Sequence, residues 1–126
     1  AKVDVTANDK KGNTPIMYAA MRGRPEVIEL LHKQGADLRD TDNDEENALH
    51  YAVDAYEDVP AGRVLKTVNF LIDAKVDVTA KSKYGETPIM LAAKRGRPEV
   101  IDVLFENIEL KLVCVERPVV RTVQLK

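Results

Sequence analysis

Laid over itself at an offset of 73, this chain repeats: residues 1–34 and 74–107 agree at 23 of 34 positions. The shared text includes AKVDVTA at 1–7 and 74–80, TPIM at 14–17 and 87–90, and RGRPEVI at 22–28 and 95–101. A weaker copy lies between, where Asn47, Ala48, Leu49, His50 and Ala52 follow Thr14, Pro15, Ile16, Met17 and Ala19 by 33 residues. The next step, Asn47 to Thr87, is 40, so the unit is 33 residues with seven extra in the middle copy. A period of this size is the signature of stacked units, each burying its apolar face against its neighbours.

Each unit reads as two short helices. Thr14 and Thr87 stand where helix caps are wanted, and Pro15 and Pro88 suit the first helical turn, where a missing N–H and a fixed φ cost little. Ile16, Ala19 and Ala20 give a small apolar face that permits close helix packing, and Gly23 and Gly96 break the run. Pro25 and Pro98 then open a second helix, with Glu26 and Glu99 near its positive end. Its apolar stripe is Val27, Ile28, Leu30 and Leu31, repeated as Val100, Ile101, Val103 and Leu104; Val64, Leu65, Val68, Phe70 and Leu71 do the same in the middle unit. Ala36-Asp37-Leu38 and Val76-Asp77-Val78 are expected to be short extended stretches leading into polar turns. The predicted fold class is therefore an all-α repeat solenoid of about three stacked helix-turn-helix pairs over residues 1–109.

After Asn107 the pattern stops, and residues 110–126 read as a separate non-repeat segment. Leu110, Leu112 and Cys114 alternate with Lys111, Val113 and Val115; Glu116-Arg117-Pro118 punctuates; Val119, Arg121, Val123 and Leu125 resume the alternation. Apolar and β-branched residues at period two predict a β-forming tail. Three roles are open for it: covering the end of the last helix pair, pairing with another copy so that the chain self-associates, or standing loose as part of an adjoining segment. Charge also changes here. The net charge is -2, but Lys111, Arg117, Arg121 and Lys126 against Glu116 make the tail +3 and the remainder -5.

The repeated text resembles the ankyrin repeat, a unit of a turn and two antiparallel helices. The matching stretches are GNTPIMYAAMRGRPEVIELLHKQGAD at 12–37, NALHYAV at 47–53 joined to VNFLIDAKVD at 68–77, and GETPIMLAAKRGRPEVIDVLFEN at 85–107. The resemblance covers residues 1–107 and does not extend to the tail. Two departures stand out. The family's turn glycine falls on Glu45 in the middle unit, so that turn is expected to be looser or differently shaped. The histidine of the family's TPLH motif is Met17 in the first unit and Met90 in the third, which leaves His50 as a structural histidine; His32, on the second helix, reads as a surface residue. Residues 1–7 copy the segment that ends the middle unit, so the text opens in the last part of a repeat.

The resemblance implies a non-catalytic protein–protein interaction module that binds through the turn tips and the exposed face of the first helices. Carried over position by position, it points to Lys10, Lys11, Asn13, Met21 and Arg22 in unit one, and to Asn43, Asp44, Glu46 and Asp54 in unit two. In unit three it points to Lys83, Tyr84, Glu86, Lys94 and Arg95. These bands run basic, acidic and mostly basic, a pattern that orients a complementary partner more than it tightens it. Met21 and Tyr84 are the expected anchors. The seven-residue excess, DAYEDVPAG at 54–62, is expected as a loop with Tyr56 at its tip, either a second contact or an insertion that is simply tolerated.

No phosphate-cradling GxxxxGK is present, Cys114 is alone, and the two histidines lack metal-ligand spacing, so neither an enzyme nor a cofactor or metal site is expected. Asp40, Asp42, Asp44, Glu45 and Glu46 lack the glycine of a calcium loop and read as a solvated acidic turn. Nucleic-acid binding is the alternative from a different class: basic groups exist, but the acidic middle repels phosphate. A structural spacer within a larger multi-domain protein is the other. No apolar run approaches the ~20 residues of a membrane span, and a lone cysteine makes the fold independent of oxidation. A cytoplasmic or otherwise intracellular protein, nuclear location included, is the expectation.

Overall fold

In a computed structural model, the structure describes the backbone of residues 5–116 and the side chains of 5–109. Six helices follow in order: α1 (Pro15–Met21), α2 (Pro25–Lys33), α3 (Ala48–Val53), α4 (Ala61–Asp73), α5 (Pro88–Arg95) and α6 (Pro98–Glu116). Each consecutive pair packs as a hairpin. The short first helices α1, α3 and α5 lie side by side in one layer, and α2, α4 and α6 form the layer behind them. Among the described residues there is no strand. The expected all-α stack of helix pairs is present.

The first helices start where side chains can satisfy their free N–H groups. The Thr14 hydroxyl accepts from the Met17 N–H at 3.4 Å, and Thr87 does the same for Met90. In α3, Asn47 Oδ1 accepts from the His50 N–H at 3.0 Å while His50 Nδ1 accepts from the Asn47 N–H at 3.1 Å, a reciprocal cap. Ala19, Ala20, Ala52 and Ala92 are buried between the layers, where small side chains let helices approach closely. Around them Ile16, Ile28, Leu49, Val53, Val64, Val68, Leu71, Leu91, Val100 and Leu104 make one continuous core. Ala36, Leu38, Val76 and Val78 are buried too and tie the connections between units to it.

The seven extra residues of the middle unit are not all loop. The connection at 54–60 is longer than its counterpart at 22–24, and Ala61–Gly62, expected in the loop, belong instead to an added first turn of α4. Val59 is buried against the first unit, and the Tyr56 N–H reaches the Met21 carbonyl at 3.3 Å. On the opposite side Arg97 donates to the Val53 and Ala55 carbonyls at 2.9 and 3.0 Å, and Arg95 pairs with Asp54. The insertion thus fastens the middle unit to both neighbours.

The β-forming reading of the tail is corrected over residues 110–116, which continue α6 without a break across the expected boundary at 109. The second helix of each earlier unit ends at a residue with positive φ, Gly35 at 109° and Lys75 at 72°. The equivalent position in unit three is Ile108, a β-branched residue for which that conformation is costly, so the helix does not stop. Once nucleated, helix propagates easily through Glu109, Leu110, Lys111 and Leu112. It is helical as far as Glu116, the last residue described. Residues 117–126, the rest of that expectation, lie outside the described residues.

Candidate partner-binding surface

The three turn tips are built alike. Asp9 Oδ1 accepts from the N–H groups of Lys11 and Asn13 at 3.0 and 2.9 Å, and Asp42 Oδ1 from those of Asp44 and Glu46 at 2.9 and 2.8 Å. Ser82 Oγ accepts from Tyr84 and Glu86 at 3.1 and 3.2 Å. Each tip then turns through a residue with positive φ: Gly12 at 83°, Glu45 at 62° and Gly85 at 80°. The expectation of a looser middle turn is therefore corrected. Glu45 takes the same backbone bond, its N–H to the Asp42 carbonyl at 3.0 Å, as Gly12 and Gly85 make at 2.9 Å. The tip's own hydrogen bonds hold a non-glycine residue in the left-handed region at a cost of about 1–2 kcal/mol.

Neighbouring tips are then joined edge to edge. The Asn43 N–H donates to the Lys11 carbonyl at 2.9 Å and its side-chain amide to the Lys10 carbonyl at 2.9 Å. The Lys83 N–H donates to the Asp44 carbonyl at 2.7 Å. Asn43 is thus an inter-unit clamp as well as a surface residue. Glu86 contributes its carbonyl, which accepts from His50 Nε2 at 2.9 Å; with Nδ1 occupied by the Asn47 N–H, His50 is buried and satisfied at both nitrogens.

What faces outward is a row of aromatic and charged groups. Lys10, Lys11 and Arg22 are exposed in the first unit, with Asn13 and Met21 half-buried; Lys83, Tyr84, Lys94 and Arg95 are exposed in the third. Tyr84 is the most open aromatic ring at 68% exposure, with Lys83 Nζ 5.9 Å from its centroid and its hydroxyl 3.5 Å from Asp44 Oδ1. Arg22 lies 4.5 Å over the ring of Tyr56, in the insertion, so these two act together. Asp54, half-buried, is held by Arg95.

Four further residues belong to this surface. The Tyr18 hydroxyl donates to Asp9 Oδ2 at 2.5 Å, which holds the Asp9 carboxyl below its usual range and pushes the phenol up. The Tyr51 hydroxyl donates to Asp42 and lies 2.7 Å from Asn13 Oδ1; burial first, then the Asp42 bond, raises its pKa. Asp42 is only 7% exposed, so the acidic turn is not simply solvated: one carboxylate is built into the tip. The carboxylates of Asp42, Asp44 and Glu46 lie within 4.8 Å of one another, and burial followed by repulsion from Asp42 and Asp44 lifts Glu46 to about 7. The signal for these residues was in the text, since the offset of 33 that aligns the units pairs Asp9 with Asp42 and Tyr18 with Tyr51.

The family comparison follows the same units. A model of ankyrin repeats in three copies matches residues 1–81, and a single ankyrin repeat matches 84–111. The chain belongs to the ankyrin repeat family. Residues 112–126 fall outside both matches. It is 32% identical over 102 residues to an ankyrin repeat, SAM and basic leucine zipper domain-containing protein 1 of Microcebus murinus, covering 81% of this chain and 21% of that protein. It is 31% identical over 100 residues to a transient receptor potential cation channel subfamily A member 1 homolog of Caenorhabditis elegans, covering 79% of this chain and 8% of that one. The chain thus spans about a fifth or less of the length of these two proteins. Ankyrin repeats generally mediate protein–protein interactions, and the buried stack with its polar tips is a scaffold of that kind. Among the described residues no helix is long and apolar enough to cross a membrane.

Proposed function

We propose that this ankyrin repeat chain is a non-catalytic module that binds another protein or peptide across its tips and first helices. The observation that carries this reading is the row formed by Tyr18, Tyr51 and Tyr84, each with its hydroxyl at a tip aspartate, on a backbone whose tips are hydrogen-bonded to one another. Tyrosines on a rigid frame offer large contact area at little entropic cost. Lys10 and Lys11 on one side and Lys83 on the other flank the acidic middle tip, so a partner with acidic, basic and acidic groups in sequence is oriented as it docks.

The test uses the full chain and a captured protein partner. Replacing Asp44 and Glu46 together by lysine, or Tyr84 by alanine, is expected to weaken binding by about tenfold or more, whereas Glu29→Lys on the far side of α2 leaves it unchanged. Equal affinity for all of these variants would remove the proposed surface. If associations survive every tip change and are lost only on terminal truncation, the chain is a spacer. A steep salt dependence of binding to generic duplex DNA would instead favour the nucleic-acid reading.

A further inference from the structure

The repeat register shows which face of the third unit is uncovered. Met17, Ala20 and Ile28 point from unit one into unit two, and all three are buried, Met17 to 1% exposure. Their equivalents His50, Val53 and Val68 are buried between units two and three. Unit three carries the identical residues as unit one, Met90, Ala93 and Ile101, yet Met90 is 53% exposed, Ala93 is exposed and Ile101 is partly so. Beside them on α6, Phe105 is 56% exposed. Ile101, Phe105 and Ile108 recur at helical spacing and form an apolar strip continuous with this open face.

A second strip runs alongside it. Glu99, Asp102, Glu106 and Glu109 are all exposed on α6, and between residues 98 and 109 there is no basic residue. Residues 117–126 have the opposite character: Arg117, Arg121 and Lys126 with no acid, interspersed with Val119, Val120, Val123 and Leu125. Pro118, a residue that breaks a helix interior, stands at the start of this segment. Ten extended residues reach about 33–36 Å, and α6 from Glu116 back to Ile101 spans about 22 Å at 1.5 Å per residue. The segment is therefore long enough to return along the helix past Phe105 to Ile101, on the open face that Met90 shares.

We propose that residues 117–126 dock on the open face of the third unit, covering Met90 and Phe105 and pairing their basic side chains with the acidic strip of α6. The chain then closes its own stack at this end, and the tip surface is left as the place for a partner. The segment's charge is what selects it over a further helix pair.

Met90 reports the contact directly, since only Met17, Met21 and Met90 are present and Met17 is a buried control. Mass spectrometry of peroxide oxidation should find Met90 protected in the full chain. It should be oxidised about tenfold faster in a chain ending at Glu116, and equally so in Arg121→Glu with Lys126→Glu. Adding Asp102→Arg and Glu106→Arg to the charge-reversed chain should restore protection. In the full chain the Met90 ε-methyl NMR signal should shift on truncation while that of Met17 stays in place. Equal Met90 oxidation with and without residues 117–126 would overturn the proposal. So would protection that appears only at concentrations where light scattering shows a dimer, which would assign the face to a second copy. If the truncated chain does not fold, the charge reversal and its rescue decide the matter alone.

Discussion

The ring of His50 joins two units: Nδ1 accepts from the Asn47 N–H at 3.1 Å and Nε2 donates to the Glu86 carbonyl at 2.9 Å, one repeat further on. Removing it leaves the buried Asn47 N–H without a partner, at about 1–3 kcal/mol, and leaves the Glu86 carbonyl with only the Ser82 N–H, at 2.8 Å. His50→Leu is expected to lose about that much or more in chemical denaturation. His50→Met should lose less, because Met17 shows that a thioether can serve the cap: Met17 Sδ lies 3.4 Å from the Thr14 N–H. Equal stability of the two variants would show that the cap is not what His50 supplies.

Glu45 holds a φ of 62° where the other tips use glycine. Glu45→Gly removes the left-handed cost and is expected to raise stability by about 1 kcal/mol, part of the gain being returned to the unfolded chain's greater freedom. A drop in melting temperature would mean that the Glu45 side chain makes a contact worth more than the backbone relief.

Gly23 and Gly96 occupy equivalent turns with nearly equal φ, 66° and 67°, but different surroundings. A Cβ on Gly23 would lie 2.7 Å from Val59 Cγ1 of the insertion, whereas one on Gly96 would meet nothing within 4 Å. Gly96→Ala should cost about 1–2 kcal/mol from backbone alone. Gly23→Ala should cost about 1–3 kcal/mol more from overpacking, and Val59→Ala should recover part of that difference. If the two glycine variants are equally stable, the insertion does not press on the first unit.

Glu46 carries the pH dependence. Its carboxyl titrates at about 7 in the folded chain against an ordinary 4.5, so the folded state holds a proton that the unfolded state has released. Stability is therefore full below about 4.5 and falls as pH rises toward 7, after which this contribution is flat. With solvent screening at a partly exposed site taken into account, the loss is about 1–2 kcal/mol. Glu46→Gln should be more stable than the parent at pH 8 by that amount and indistinguishable from it at pH 4. Parallel stability curves for the two chains would exclude this origin.

The periodic text by itself determined the number of helix pairs, their starts and their buried faces. Prolines at first turns, cap residues ahead of them and apolar positions at helical spacing act within a few residues of one another, so they can be read locally. Tertiary structure decided everything that depends on a neighbouring unit. Asn43 reads as a surface amide but spends its N–H and side chain on carbonyls of the previous tip. Asp42 reads as one of five solvated acids but is buried as the centre of its turn. The insertion reads as a loop, yet partly becomes helix because α4 can extend by a turn while Val59 finds an apolar seat beside Gly23. Residues 110–116 alternate like a strand, but the helix behind them had already met the cost of nucleation and no residue suited to positive φ stood at position 108. Local pattern sets what a segment prefers; hydrogen bonds and burial across units set which preference is realised, because those contacts do not exist until the stack has formed.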